Sequence, residues 1–208
     1  MIWEWQGARH ETTAVIYKVD GEYGDLSNLS NNFPLTVAGV DLKSSEALYQ
    51  ACKYPQKPEW QQEILDARHA MEAKMKARKE GRPKACRPDW EDVKVAVMAW
   101  VLRVKLAQHP RRMAALVRWS GTGPIIEQSR KDRYWGAVEE TDGVFRGENK
   151  LGQLWTEFRE EVRAKFAAGD EATLLRVEPP AIPDFKLLGN DIGVVQGTGD
   201  FGTKPARR

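Results

Sequence analysis

The chain has 208 residues, of which 41% are hydrophobic and 30% are charged, and this is enough for one sizeable domain with a packed core. The formal net charge of +2 excludes a nucleic-acid binder of the strongly basic kind, although it is compatible with a local basic patch. Two cysteines and three scattered histidines give neither a disulfide framework nor a metal-ligand spacing. We therefore predict no metal and no cofactor.

Targeting and membrane signals are missing from the sequence. The first eleven residues, MIWEWQGARHE, lack the apolar segment of a signal peptide, and no run of about 18 apolar residues occurs. These observations predict a cytoplasmic protein that does not contact a membrane.

Strand and turn signals dominate the first forty or so residues. Residues 13–19, TAVIYKV, alternate and are rich in β-branched side chains, which predicts a strand. Residues 35–43, LTVAGVDLK, predict a small hairpin that turns near Ala38–Gly39. A short helix is then predicted within residues 44–55, with Ser44 or Ser45 as its N-cap.

Helical patterns fill most of the middle and end of the domain. Residues 57–81 predict a helix with a break near His69 and a stop at Gly81. A long helix capped by Asp89 precedes Pro110, and a shorter helix covers residues 111–119. Residues 124–128, PIIEQ, predict a buried strand. A last amphipathic helix spans residues 149–169 and stops at its terminal glycine.

The elements together predict an α+β fold, a mainly helical single domain with a small β-sheet or hairpin. From Asp170 onward, proline and glycine recur and no helical period is visible, which predicts an irregular extension with a loose basic tip. We predict a domain over residues 1–168 and the extension over residues 169–208.

One face of the first short helix carries four polar residues. Their spacing of i, i+3, i+4 and i+7 places them on one stripe: Glu46, Tyr49, Gln50 and Lys53. Two interpretations remain, a solvated polar face or the polar wall of a cleft, and the spacing alone favours the solvated face. A carboxylate in a first helical turn is favoured in its ionised form, which suits cation stabilisation or water activation better than proton donation.

A second candidate segment is IIEQSRKDRYWGAV, residues 125–138, where an apolar run ends abruptly in polar residues. Asp132 and Trp135 are expected on a loop held by a strand, where site residues often lie. The alternative is a turn in which the aspartate accepts hydrogen bonds from its own backbone and the aromatic rings cover the core. The pattern alone favours the turn.

A third candidate is ACRPDWED, in which Trp90 lies at a helix start and Lys84 and Arg87 precede it. A helix N-terminus beside basic residues can bind phosphate. Equally, the indole can fasten the start of the helix to the core. The sequence favours neither interpretation.

Six segments in a fixed order resemble the NADAR family, the NAD- and ADP-ribose-associated domain, over about residues 13–168. The segments are LSN (26–28), SSEALYQACKY (44–54), RPDW (87–90), MAWVLRVKLAQHP (98–110), SGTGPIIEQSRKDRYWGA (120–137) and GENKLGQL (147–154). Leu29 and Val138 depart from the family's pattern, and both departures concern the shape of the ligand pocket.

The resemblance implies an N-glycosidase. Some family members hydrolyse early riboflavin-pathway intermediates, and others remove ADP-ribose from guanine bases of nucleic acid, serving as antitoxins to guanine-specific ADP-ribosyltransferases. The forms EALYQACKYP, RPDWEDVKVAVMAW and DRYWGAV are more similar to the antitoxin type. The implied partners are ADP-ribosylated nucleic acid and a cognate transferase toxin. A riboflavin-pathway glycosidase and a non-catalytic ADP-ribose reader are the alternatives.

The same resemblance implies the site residues. It assigns catalysis to Glu46 and Asp132, and the intact pair argues against a pure reader. It further implies a set of substrate-binding positions: Asn28, Tyr49, Gln50, Lys53, Arg87, Trp90, Trp135, Gly136 and Asn149. Two indoles are expected to hold a flat base, and the basic side chains to meet phosphates.

Overall fold

The computed structural model describes residues 1–202, and the basic tip predicted at residues 203–208 lies outside the described residues. The helices are α1 Ser45–Ala51, α2 Pro58–Leu65, α3 Ala70–Ala77, α4 Trp90–Gln108, α5 Pro110–Arg118 and α6 Lys150–Ala168. The strands are β1 Ile2–Trp5, β2 Ala8–Glu11, β3 Val15–Ile16, β4 Leu35–Val37, β5 Val40–Leu42, β6 Ile126–Glu127, β7 Val138–Thr141, β8 Val144–Arg146, β9 Arg176–Val177, β10 Lys186–Leu187, β11 Asn190–Asp191 and β12 Val195–Gln196. This mixture confirms the predicted α+β class.

Backbone contacts divide the chain into two compact units. The first unit comprises Met1–Ser27, Pro110–Thr173 and the described part of Asp200–Arg208, and the second comprises Asn28–His109 and Leu174–Gly199. The domain boundary expected after residue 168 stays a prediction. No helix among residues 1–202 is long and apolar enough to cross a membrane.

The first unit contains a four-stranded sheet in the order β2-β1-β8-β7. Strands β1 and β2 form an antiparallel hairpin, and β1 pairs in parallel with β8. Gln6 and Gly7 at the hairpin turn both have positive φ, 49° and 80°, the geometry of a tight two-residue turn that matches strand twist. Trp3, Ile126, Ala137 and Phe145 form the buried cluster beneath this sheet. No pattern in the sequence predicted these four strands as one sheet.

The first unit also contains a short parallel strand pair and helix α6. Strand β3 pairs with β6 over only two residues, so the strand predicted over residues 13–19 is too long. The buried strand predicted at residues 124–128 is confirmed as β6, with Ile125 and Ile126 fully buried. Helix α6 confirms its predicted stop, because Gly169 takes the left-handed conformation with a φ of 70°.

The second unit begins with the predicted hairpin. Strands β4 and β5 pair antiparallel, and Ala38 and Gly39 at the turn both have positive φ, 51° and 76°. The helix predicted over residues 57–81 is broken as expected into α2 and α3, and His69 caps α3 by accepting a hydrogen bond from the Glu72 amide. The predicted stop at Gly81 is wrong by a few residues, since α3 ends at Ala77.

Helix α4 supplies the centre of the second unit. Val97, Trp100, Val101 and Val104 are buried, and Val93 is half-buried. The predicted side-chain cap by Asp89 is wrong. This residue occupies the N-cap position without a capping hydrogen bond, because its carboxylate binds the Arg87 guanidinium instead.

Residues 174–199 carry short strands within the second unit, although the sequence predicted an irregular extension. Strands β9 and β12 pair antiparallel and contact α4. Strands β10 and β11 form a small hairpin. The Gln61 amide joins this hairpin to α2 by donating to the Lys186 carbonyl at 2.9 Å and accepting from the Leu188 amide at 2.7 Å.

The two thiols are expected to differ in reactivity. Burial raises the pKa of Cys52 to about 12, and it also raises the pKa of the half-buried Cys86. Because the thiolate is the reactive form, native protein treated with an aromatic disulfide reagent is expected to react at Cys86 alone, and faster as the pH rises. Native Cys86→Ser protein should therefore not react until it is unfolded. Rapid reaction of this variant in the native state would contradict the burial of Cys52.

Candidate active site

Helix α1 is fixed at its first turn, where Glu46 lies. Ser44 is the N-cap, with an extended backbone and a hydroxyl that accepts from the Ala47 amide at 3.2 Å. The Asn28 carbonyl accepts from the Glu46 amide at 3.3 Å and from the Ser45 hydroxyl at 3.4 Å. The Ala47 and Glu46 amides are among the donors that a helix start leaves unpaired. Because both are bonded here, the position of the Glu46 backbone is well determined.

All residues of α1 are buried, including Glu46, Tyr49 and Gln50 of the polar stripe, whereas Lys53 lies just beyond the helix and is partly exposed. Glu46 is 5% exposed and Gln50 is 3% exposed. The solvated face that the spacing favoured is therefore wrong, and the interpretation as the polar wall of a cleft stays a prediction. Burying a carboxylate is costly unless charge or hydrogen bonds compensate for it, so such a residue in so short a helix is characteristic of a site.

Gln50 and Lys53 are the partners of the Glu46 carboxylate. The Gln50 amide donates from Nε2 to Oε1 of Glu46 at 2.8 Å, one helical turn away. Burial lowers the pKa of Lys53, and the negative charge of Glu46 acts against this effect. The stripe therefore holds an acid and a base in a poorly solvated environment, where each charge acts strongly on a bound ligand.

An aromatic pair borders the same stripe. The rings of Tyr49 and Trp90 lie 5.1 Å apart between centroids at an interplanar angle of 54°. The Lys53 ammonium lies 5.6 Å from the Tyr49 centroid and 5.4 Å from the Trp90 centroid, within the range of cation–π attraction. Trp90 is the first residue of α4 and its indole is buried, as expected if it fastens the start of the helix to the core, whereas the phosphate site at this helix start stays a prediction.

Buried polar atoms without a protein partner also mark this region. Among the described residues, Oδ1 of Asn28, Oε1 of Gln50 and Nη1 of Arg87 have no hydrogen-bond partner. Buried polar groups are satisfied in nearly all native proteins, so these atoms are expected to bind water or a polar ligand.

Arg87 is largely engaged within the protein. It binds both carboxylate oxygens of Asp89 at 2.6 and 2.8 Å, and its Nη2 donates to the Pro183 carbonyl at 2.7 Å. The bonds to Arg87 lower the pKa of Asp89. The remaining Nη1 is the atom through which this residue can meet a phosphate, and that role stays a prediction.

Asp132 lies in a tight turn of the first unit. Its Oδ1 accepts from the amides of Tyr134 and Trp135 at 3.0 and 2.9 Å, and its own amide donates to the Ser129 hydroxyl at 2.9 Å. The local structure is thus the turn that the sequence offered as the alternative. Oδ2 takes no part in this turn. The catalytic role of Asp132 stays a prediction.

Trp135, Gly136 and Asn149 surround this turn. The Trp135 ring contacts Tyr134 edge to face at 5.2 Å. A side chain at Gly136 would collide with the Glu127 carbonyl. Asn149 is fully buried in a left-handed conformation, and its amide pairs with the β6 backbone at the Glu127 amide, 2.9 Å, and the Ile125 carbonyl, 2.8 Å. These contacts give Gly136 and Asn149 structural roles, and their contact with substrate stays a prediction.

The structure thus gathers the predicted site residues into two groups. The second unit brings together the α1 stripe with three further residues: Asn28, Arg87 and Trp90. The first unit holds the others: Asp132, Trp135, Gly136 and Asn149. Sequence reasoning missed Met98, whose sulfur contacts Nδ2 of Asn28 at 2.9 Å. Its position two helical turns after Trp90, on the same face of α4, is the signal that points to it.

Comparison with known proteins finds a family match and several relatives. The family model described as the NADAR domain matches residues 15–163. The N-glycosidase YbiA of Escherichia coli is 32% identical over 157 residues, which are 76% of this chain and 92% of that protein. Its NMR structure has a TM-score of 0.60 at 28% sequence identity, covering 76% of this chain and 89% of that chain.

Two longer relatives are named riboflavin biosynthesis proteins. One, from Vibrio vulnificus, is 32% identical over 155 residues, covering 74% of this chain and 39% of that protein. The other, the chloroplastic PYRR protein of Zea mays, is 32% identical over 177 residues, covering 78% of this chain and 27% of that protein.

Proposed function

Because the chain belongs to the NADAR domain family and is an enzyme that hydrolyses a glycosidic C–N bond, we propose that its substrate is ADP-ribosylated guanine in nucleic acid. The enclosed Glu46 carboxylate, held by Gln50, is the observation that supports this proposal most directly. The likeness of three segments to antitoxin-type members supports the choice of substrate.

The chemistry requires negative charge beside the ribose. Breaking the C1–N bond builds positive charge at C1, as in other glycoside hydrolyses. Glu46 is proposed to stabilise this charge and to accept a proton from the attacking water. The water oxygen forms the new bond to C1, the electron pair of the C1–N bond passes to the base nitrogen, and that nitrogen takes up a proton. Asp132 is proposed to hold the ribose hydroxyls or the water.

The surroundings of Glu46 suit the rest of such a substrate. The Tyr49 and Trp90 rings offer a surface for a flat base. Lys53 and Nη1 of Arg87 are cationic groups suited to phosphate oxygens. A cognate ADP-ribosyltransferase is the proposed partner, since it would produce this substrate. A cytoplasmic location stays a prediction.

A second candidate substrate is an early riboflavin-pathway intermediate. Two relatives are named riboflavin biosynthesis proteins, and this is the observation that favours it. The same carboxylate and aromatic pair would serve a pyrimidine amine linked to ribose phosphate. The two candidates share the reaction and differ in the leaving base and in the length of the phosphate group.

One assay distinguishes them. The purified protein is incubated separately with an oligonucleotide that carries one ADP-ribosylated guanine and with the riboflavin-pathway intermediate, and released ADP-ribose or ribose phosphate is quantified. We expect release of ADP-ribose and at most slow release of ribose phosphate. Release from the intermediate alone would replace the first candidate by the second. Binding of ADP-ribose without release from either compound would indicate a reader.

Trp135→Ala is expected to weaken substrate binding more than turnover. Base stacking on an aromatic side chain contributes roughly 1–3 kcal/mol, so KM should rise about tenfold while kcat changes little. Trp119→Ala is the matched control, because that indole is 63% exposed at the end of α5 and has no predicted role. An unchanged KM in Trp135→Ala would argue against a stacking role.

A further inference from the structure

We propose that a groove beside the N-terminal hairpin binds the single-stranded nucleic acid that flanks the modified guanine. This hairpin groove, of about 560 Å³, lies within the first unit and is lined by residues 4–9, Arg133, Arg146, Gly147 and Glu148. The inference rests on the proposed function, because it concerns how the enzyme selects a polymer over a small substrate. The volume of the hairpin groove is in the range of natural ligand pockets.

The hairpin is an addition to the part of the chain that the family model matches. That match begins at residue 15, whereas β1 and β2 end at Glu11. Strand β1 attaches to β8 by parallel pairing, with Glu4 opposite Arg146. The hairpin therefore places its own side chains next to Arg146 and the residues that follow it. A feature outside the family match is suited to select among the family's substrates, since the reaction itself does not need it.

The groove continues from the loop assigned to the site. Arg133 directly follows Asp132, and its carbonyl accepts from the Glu148 amide at 2.6 Å. Arg133 and Glu148 thus line the groove while the neighbouring turn holds Asp132 and Trp135. A strand whose modified base reaches Asp132 and Trp135 would run on directly into the groove.

The lining side chains suit bases and phosphates. The Trp5 ring is half-buried and packs against the Trp3 cluster, so its orientation is fixed. A fixed indole stacks on any base, which gives binding that tolerates sequence. The three arginines in the lining add planar groups that stack on bases and donate to phosphates: Arg9, Arg133 and Arg146.

Ion pairs orient these arginines and leave donors of Arg9 and Arg133 available for a ligand. Glu4 lies 3.3 Å from Arg9 and 2.5 Å from Arg146, and Glu140 lies 2.6 Å from Arg133. Each arginine in these pairs is half or more exposed, so solvent screens the attraction and the pairs are weak. A guanidinium has five N–H donors, and Arg9 and Arg133 each pair with one carboxylate, which does not use all of them. Arg146 binds both Glu4 and Glu140 and is the most engaged of the three.

The charge of the groove decides which kind of binding is expected. Three arginines face two lining carboxylates, Glu4 and Glu148, and Glu140 pairs with two of the arginines, so the groove carries no excess of positive charge. Few counterions would be released on binding, and the affinity should depend only weakly on salt concentration. Stacking on Trp5 is then the main contribution, and unpaired bases are required because paired bases do not expose their faces.

The test measures binding and catalysis separately. Fluorescence anisotropy follows a labelled, unmodified single-stranded oligonucleotide added to wild type, Trp5→Ala and Arg9→Glu. Arg68→Glu is the matched control, because Arg68 is also exposed and paired with a carboxylate, that of Glu72 at 3.1 Å. Release of ADP-ribose is then compared between an ADP-ribosylated oligonucleotide and ADP-ribosyl-guanosine.

We expect about tenfold weaker oligonucleotide binding in Trp5→Ala and Arg9→Glu, and no change in Arg68→Glu. The kcat/KM for the modified oligonucleotide should fall by a similar factor, with that for the nucleoside unchanged. Equal binding by all four proteins, or no binding by wild type, overturns the inference. Arg9→Glu keeps the test decisive if Trp5→Ala fails to fold, since Arg9 is exposed. Absence of release from both substrates by wild type would refute the proposed function instead, and the anisotropy result would still stand.

Discussion

Glu46→Gln is expected to lower kcat for ADP-ribose release on the order of a hundredfold or more. The loss follows because the amide carries no negative charge to place beside the ribose carbon and cannot accept the proton of the attacking water. The fold should be unchanged, because glutamine has the same shape and its carbonyl can accept the Gln50 amide that now binds Oε1. Steady-state kinetics on the modified oligonucleotide measures kcat, and a thermal melt of each protein measures whether the fold is unchanged.

Glu59→Gln provides the matched control. Glu59 is the second residue of α2, as Glu46 is of α1, so both carboxylates lie at the positive end of a short helix. Glu59 is exposed and Glu46 is buried. Glu59→Gln therefore removes a first-turn charge outside the site, whereas Glu46→Gln removes one inside it. Full activity in Glu46→Gln would remove the basis of the proposed mechanism. Equal loss in both variants would point to a general effect on helix stability.

Elements with strong local signals were predictable. The β4–β5 hairpin follows from Ala38–Gly39, the start of α1 from Ser44, and the end of α6 from Gly169. In each case the residue satisfies a backbone requirement within a few positions of itself, either a positive φ or an unpaired amide. Such requirements are visible in the sequence without knowledge of the rest of the fold.

The four-stranded sheet was not predictable in the same way. Its parallel pair joins residues 2–4 to residues 144–146, and no local pattern indicates such a distant partner. Strand β2 is exposed along its whole length, so it lacks the alternation of apolar and polar side chains that identifies a strand. Asp89 illustrates a related limit, since the competing Arg87 partner two residues away outweighs its capping preference.

The polar stripe of α1 shows why the site itself was only partly predictable. Glu46, Tyr49, Gln50 and Lys53 have the composition of a surface face, and seven helical residues cannot reveal what covers them. Their burial depends on packing by residues far away in the sequence. The family resemblance, which rests on the order of many segments, implies a catalytic role for Glu46, whereas helical periodicity pointed to solvent; the role itself stays a prediction.

Asp132→Asn is expected to lower kcat on the order of a hundredfold while leaving the loop intact. Asparagine retains Oδ1, which accepts the Tyr134 and Trp135 amides, and asparagine is as common as aspartate in such turns. The variant therefore removes the charge and keeps the turn, whereas Asp132→Ala removes both. If Asp132 acts only in the turn, the asparagine variant should have wild-type kinetics and the alanine variant should have a lower melting temperature and a higher KM. If it also acts on the substrate, as proposed, both variants should lose kcat and only the alanine variant should lose stability. The two substitutions together thus separate the structural use of Oδ1, which the geometry shows, from the catalytic use of the carboxylate charge.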